Sequence, residues 1–219
     1  GDDVVATCQA PGWPPLRLPW EADESERIIS SLIQSYVSLR DDLDLSDVLW
    51  AYWVGLRMPL GFELPLFGLA LERLMAAWFR SNRSRSSGVY MSAAKFEQLT
   101  AEPFMQVERQ LGVSKYGDRM MRRMRGAFQM GVNDRFETFF EELGLTLGQT
   151  EQLAVQRRNR CAHGGPVDPD QIREHIRLTR TYQSMFHRVL LRILGYTGPY
   201  IDYGTISFPE RALDECAGG

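Results

Sequence analysis

Between Arg157 and Gly165 the chain reads RRNRCAHGG, so three arginines, an asparagine, a histidine and a glycine pair fall within nine residues. Arginine's planar fork binds phosphate or carboxylate bidentately and stacks on bases, which lysine cannot do. The run follows an ordinary helical stretch, LGQTEQLAVQ, and Gly164, Gly165 and Pro166 stop it. Asn159 and His163 are four residues apart and share a helix face, so the amide can orient the imidazole. Arg158 and His163 are five apart, which separates them by about 140° around a regular helix. They converge only if the helix ends between them or both reach around a groove. Gly164 lets the chain turn at once, which gives His163 access to solvent. A turn between two helices is also where a backbone presents side chains to a ligand. The plain alternative is an arginine-rich helix end that complements the negative C-terminal pole of the dipole.

The spacing of Arg158 and His163 is cheap in a chain with 23 arginines and three histidines. A comparable pair, Arg180 and His187, lies inside the next helical run and reads as packing or solvated face. Cys161 and His163 are two apart, on different sides of a helix, with no second ligand cluster, so no metal is expected. Cys161 as a nucleophile would gain from nearby arginine charge, but no partner base is evident. An ordinary buried cysteine is the simpler reading. His175 and His187, twelve residues apart on the last long helix, read as structural or surface groups. No GxGxxG or P-loop supports dinucleotide or ATP chemistry.

The elements that must carry this run are helical. An amphipathic pattern of Ile28, Ile29, Leu32, Ile33, Tyr36 and Val37 predicts a first helix from Asp23, with Glu26 completing a capping box. Ser46 is expected to cap a second, short helix. A third is expected over about 62–79, with Glu72 inside its apolar run as a residue that could meet a motif arginine across the bundle. Ser92 opens a fourth, which Pro103 is expected to split or kink. A basic, methionine-rich helix, DRMMRRMRG, follows. Its Arg119, Arg122 and Arg123 form one face, with Met120, Met121 and Met124 expected opposite. That is a solvated face, or a track for an RNA backbone if it lies beside the motif. Asn133 is expected to cap the next helix, and Thr146 with Gln149 the motif helix. Asp168-Pro169 starts the longest helix, which runs toward Gly195. No alternating strand pattern appears. The fold expected is all-α, a bundle with a long antiparallel pair around the motif.

Length and composition agree. The 219 residues suit one domain with a small appendage, and 44% hydrophobic residues allow a real core. We divide the chain into a proline-rich linker or tail of an upstream domain (1–22), a helical domain (23–197) and an irregular C-terminal tail (198–219). An initial glycine reads as a piece of something longer. No run approaches the ~18 apolar residues of a membrane span, and the acidic, proline-rich opening does not read as a signal peptide. Three scattered cysteines, Cys8, Cys161 and Cys216, suggest a reducing, cytoplasmic setting. The net charge of −3 hides an acidic first third and a basic remainder, and only Lys95 and Lys115 are lysines. Arginine excess of this kind suits nucleic acid, or simply a GC-rich gene.

LAVQRRNRCAHGG resembles the Arg-Asn-x-x-x-His motif of the HEPN superfamily, α-helical domains found widely as RNases in toxin and anti-phage systems. The stretches LWAYWVGL, LFGLALERLMAAWF and LGYTGPYIDYG are similar to those of ApeA-type HEPN domains, which follow an unrelated N-terminal region. The resemblance covers roughly residues 45–205, and its specific part is the Arg-Asn-x-x-x-His core. The sequence departs from the motif in carrying further arginines, Arg157 and Arg160, on either side. The resemblance implies a metal-independent and cofactor-free endoribonuclease, with tRNA among its candidate substrates. In such an enzyme the RNA 2′-hydroxyl attacks its own phosphate. It implies that His163 moves the proton, Arg158 clamps the phosphate and Asn159 holds substrate or His163. Arg157, Arg160, Arg122 and Arg123 then bind substrate, and Glu72 supports the site from behind. One motif supplies a single histidine, so the family pairs two across a twofold interface, and a homodimer is implied. Some HEPN domains only bind nucleotide or a partner, which is the alternative implied by the same resemblance.

Overall fold

The computed structural model describes residues 14–59, 62–81, 83–111, 114–162 and 169–219, and of 159, 160, 162 and 169 the backbone alone. Cys8, most of the proline-rich opening, His163 and Asp168 lie outside the described residues. Eight α-helices are described: α1 Ala22–Leu39, α2 Leu45–Gly55, α3 Glu63–Arg80, α4 Ala93–Leu111, α5 Lys115–Arg125, α6 Val132–Glu142, α7 Gln149–Ala162 and α8 Ile172–Ile193. A 3-10 turn, Pro169–Gln171, leads into α8. Two-residue strands β1 (Tyr200–Ile201) and β2 (Glu210–Arg211) pair antiparallel. The described chain is therefore all-α apart from that ribbon. No helix among the described residues is long and apolar enough to cross a membrane.

Helix α3 is the hub, in contact with α2, α6, α7 and α8. Its apolar residues fall on several sides, so most of its surface is covered: Leu64, Phe67, Ala70, Leu71, Leu74 and Ala77 are all sealed. Helices α7 and α8 run antiparallel, since Glu151 meets Arg188 near the start of one while Arg157 meets His175 near its end. A second small core joins Leu16 of the entry segment to Leu191, Tyr200, Leu213 and Ala217. Residues 198–219 are thus largely irregular in backbone yet packed against α8.

Several helix ends differ from expectation by a residue or two. Glu21, Asp44 and Gly131 occupy the positions before α1, α2 and α6, none with a side-chain cap bond. Asp44 takes a left-handed conformation, φ 50°, so the chain turns into α2 before Ser46 is reached. Ser92 does cap α4, accepting from the Lys95 N–H at 3.3 Å. At α7 the Glu151 carboxylate accepts from the Gly148 N–H at 2.8 Å, and this replaces the expected Thr146–Gln149 pair. Pro103 neither splits nor ends α4. The carbonyl that it leaves without an N–H belongs to Leu99, which is exposed, so water can serve it. On α5, Met121 is buried but Met120 is exposed, which corrects the expectation that the methionines share the inner face.

Helices α4 and α5 form an arm inserted between α3 and α6. Its base is pinched by the bridge Val89–Gln129 and the Tyr90 N–H bond to Phe128. Phe96 packs against Phe104 along α4 and against Phe128 in the turn after α5, with centroids 5.8 and 5.6 Å apart, which ties α4 to the base of the arm. No residue of α4 is buried.

Candidate functional site

Arg157 and Arg158 are consecutive on α7, about 100° apart around the helix, and α7 lies against both α3 and α8. They therefore part company. Arg158 turns to α3, where its Nη2 meets Glu72 Oε2 at 2.6 Å. Arg157 turns to α8, where its Nε donates to His175 Nδ1 at 3.5 Å and its Nη1 to Gln171 Oε1 at 3.4 Å.

Gly68 makes the Arg158 position possible. It lies one turn before Glu72 on the same face of α3. A β-carbon there would come within 2.7 Å of Arg158 Cγ and collide with its Nε. The stem of Arg158 crosses α3 over this glycine, and the fork arrives at the carboxylate one turn on. Tyr182 of α8 backs the pair. It is sealed, its hydroxyl has no hydrogen-bond partner among the described residues, and burial pushes its pKa up, with Arg158 and Glu72 both within electrostatic reach. Three helices thus converge on Arg158.

The chain matches no protein-family model, and no curated protein or solved structure matches it significantly. The site has to be read on its own chemistry.

The other expected residues separate into groups. The backbone of Asn159 and Arg160 continues α7, but their side chains lie outside the description, as does all of His163. Arg122 and Arg123 are exposed on α5, whose neighbour is α4. Cys161 packs partly buried against the main core. Among the described residues no three His, Cys, Asp or Glu side chains gather closely enough to hold a metal ion.

His175 is sealed, and burial followed by the Arg157 charge lowers its pKa. It is therefore a neutral acceptor for Arg157 at neutral pH. His187 is also sealed. Its Nε2 lies 2.5 Å from Tyr52 Oη, which also accepts from Gln183, and burial pushes its pKa down to about 3. Arg180 bonds Gln183 at 2.9 Å and approaches Glu63 at 3.8 Å. The Arg180–His187 pair is thus packing, as its mid-helix position implied. Sequence reasoning missed Gly68, Tyr182 and Gln171. A lone glycine inside an otherwise apolar helix was the one available signal, since it marks either a close approach or a weak point.

Proposed function

We propose that this protein is a metal-independent endoribonuclease of HEPN type that cuts RNA, with tRNA a candidate, in bacterial anti-phage or toxin-type defence. The observation that carries the reading is the setting of Arg158. It is a guanidinium at the exit of α7, steered by Gly68 and Glu72, backed by Tyr182, and still partly open to solvent. In the reaction the 2′-hydroxyl loses its proton to His163 and its oxygen attacks the adjacent phosphorus. The P–O5′ bond breaks, leaving a 2′,3′-cyclic phosphate, and the departing O5′ takes a proton from the imidazole of a second copy. Arg158 clamps the phosphate as negative charge builds on it, and Asn159 orients His163 or the substrate. Arg157, Arg160, Arg122 and Arg123 hold other parts of the strand.

The reaction needs two motifs, so the active form is a homodimer. Trp50, Trp53, Phe62 and Leu69, exposed on α2 and the start of α3, supply apolar surface for a second copy. The alternative is a HEPN module that binds nucleotide or RNA, or only dimerises. The Glu72–Arg158 ion pair favours it, because it partly neutralises the fork a phosphate would use. The test is cleavage of labelled tRNA and total RNA in EDTA. Wild type should cut, and Arg158→Ala and His163→Ala should abolish cutting with unchanged circular dichroism. Binding without cleavage by the wild type would select the alternative.

A further inference from the structure

The basic helix α5 is carried on the α4–α5 arm, where its main neighbour among the described elements is α4. Its sequence, KYGDRMMRRMR, holds five basic residues and one acidic. The arm packs through Gly117 and Met121, both buried, with Met124 half-buried beside them. The opposite face shows Tyr116, 80% exposed, then Arg119, Met120 and Arg123 at three, four and seven residues on. Those spacings place all four on one stripe, with Arg122 at its flank. The five residues line one shallow open hollow.

The charges there are uncommitted. Arg125 is engaged by Glu108 at 3.5 Å, and Arg122 donates weakly to the Asp118 carbonyl. Among the described residues neither Arg119 nor Arg123 has a carboxylate partner. Like charges packed this closely destabilise a helix by a few tenths of a kcal/mol per pair, so the fold itself gains nothing from them.

We propose that this stripe is a docking surface for single-stranded RNA, separate from Arg158. Arginine forks hold successive phosphates, and Tyr116 stacks a base at one end. The exposed aromatic decides the class. A purely anionic protein segment has no use for a stacking platform, and a membrane surface would call for more apolar bulk than Met120. Arg119 and Arg123 are about 6 Å apart along the helix axis, close to the step between phosphates in an extended strand. RNA rather than DNA as the natural strand rests on the proposed function; the docking itself does not.

The experiment is fluorescence anisotropy of a labelled 2′-O-methyl oligouridine, which binds but cannot be cut, with the full chain across a salt series. The wild type should bind. Arg119→Glu with Arg123→Glu should weaken binding at least tenfold. The neutral pair Arg119→Gln with Arg123→Gln serves if the first fails to fold, and should reduce the salt slope by about 1.4, as expected for two lost phosphate contacts. Tyr116→Ala should cost several-fold with the slope unchanged. Undiminished binding in the folded arginine variants overturns the proposal. So does displacement of the RNA by polyglutamate or anionic vesicles at equal charge concentration with no effect of Tyr116→Ala. Cleavage separates the two readings. A wild type that binds through α5 but cuts nothing fails as a ribonuclease and keeps this surface. One that cuts RNA while the α5 variants bind as before keeps the chemistry and loses this surface.

Discussion

Helix α7 carries two arginine–glutamate pairs, seven residues apart, that look alike by distance and differ in everything else. Glu151 meets Arg188 at 2.7 Å with both side chains fully sealed. Arg158 meets Glu72 at 2.6 Å with 14% and 29% of the side chains exposed. At the sealed pair Arg188 also donates to the carbonyls of Leu213 (2.6 Å) and Thr146 (2.8 Å), and the Ala217 N–H donates to Glu151 at 3.2 Å. A charge taken out of water must be met in full, and here it is. Burial pushes the Glu151 pKa up while Arg188 opposes that shift. The pair welds α7, α8 and the tail together and is closed to any ligand. The half-open pair has water within reach, so either charge can change partners at modest cost. Distance alone therefore does not tell a structural bridge from a site; the solvent at its edge does.

The comparison breaks most readily at the sealed end. Arg188→Ala leaves the Glu151 carboxylate buried without its partner, and should cost about 3–5 kcal/mol. For a chain of this size that lowers the melting midpoint by roughly 10 °C or more, read by thermal unfolding at constant pH. Arg158→Ala should cost only about 1 kcal/mol. Equal losses at the two positions would mean that the half-open pair is structural as well.

Acid should attack the sealed interior next. His187 has a folded pKa of about 3 against an ordinary value of 6.5. Between those values the unfolded chain binds the proton and the native chain does not, so stability is whole above pH 6.5 and declines as pH falls toward 3. The slope from this group is about 1.4 kcal/mol per pH unit. Urea unfolding at pH 7 and pH 5 should show it, and His187→Phe should remove that part of the difference.

The helical architecture was legible because periodic apolar residues have few ways to be satisfied, and α3, α6 and α8 fall where Phe62–Phe79, Asn133–Gly144 and Pro169–Gly195 suggested. The helix that carries Arg157 and Arg158 was legible as well, while the glycines expected to end it lie outside the described residues. Which way Arg157 and Arg158 point was not, since both α3 and α8 had to be in place first. The same holds for Arg188. In the sequence it is one more charged residue on a long helix, and its burial follows from Leu213 and Asp214 folding back, which no local pattern announces. Asp44 hid the start of α2 because a left-handed aspartate leaves no side-chain capping signal. Pro103 does not split α4, because the cost of a lost hydrogen bond depends on whether water reaches the orphan carbonyl, and only the packing of α4 decides that.

The half-open pair can be sharpened through its glycine. Gly68→Ala improves helix propensity by about 1 kcal/mol, while the new methyl pushes the Arg158 stem off α3. The two effects should nearly cancel in stability. Under the proposed function the displaced fork should lower RNA cleavage about tenfold, with no change in the melting midpoint beyond a few degrees. A variant that is more stable and cuts normally would show that Arg158 need not lie across α3 to work.

The smallest effect is the most discriminating one. Glu72→Gln keeps the shape of the partner and removes its charge. At a sealed pair such a change would strand an arginine, but here water can hydrate what is left exposed, so stability should move by less than about 1 kcal/mol. The fork then meets an incoming phosphate without an internal competitor, and affinity for a nucleoside 3′-monophosphate should rise about threefold in a titration followed by NMR. The rise should disappear in the Glu72→Gln/Arg158→Ala double variant, because the gain runs through that one guanidinium. If the single variant binds no more tightly than wild type, Glu72 does not compete with phosphate at all. The exposed edge of the pair would then be no evidence of a site.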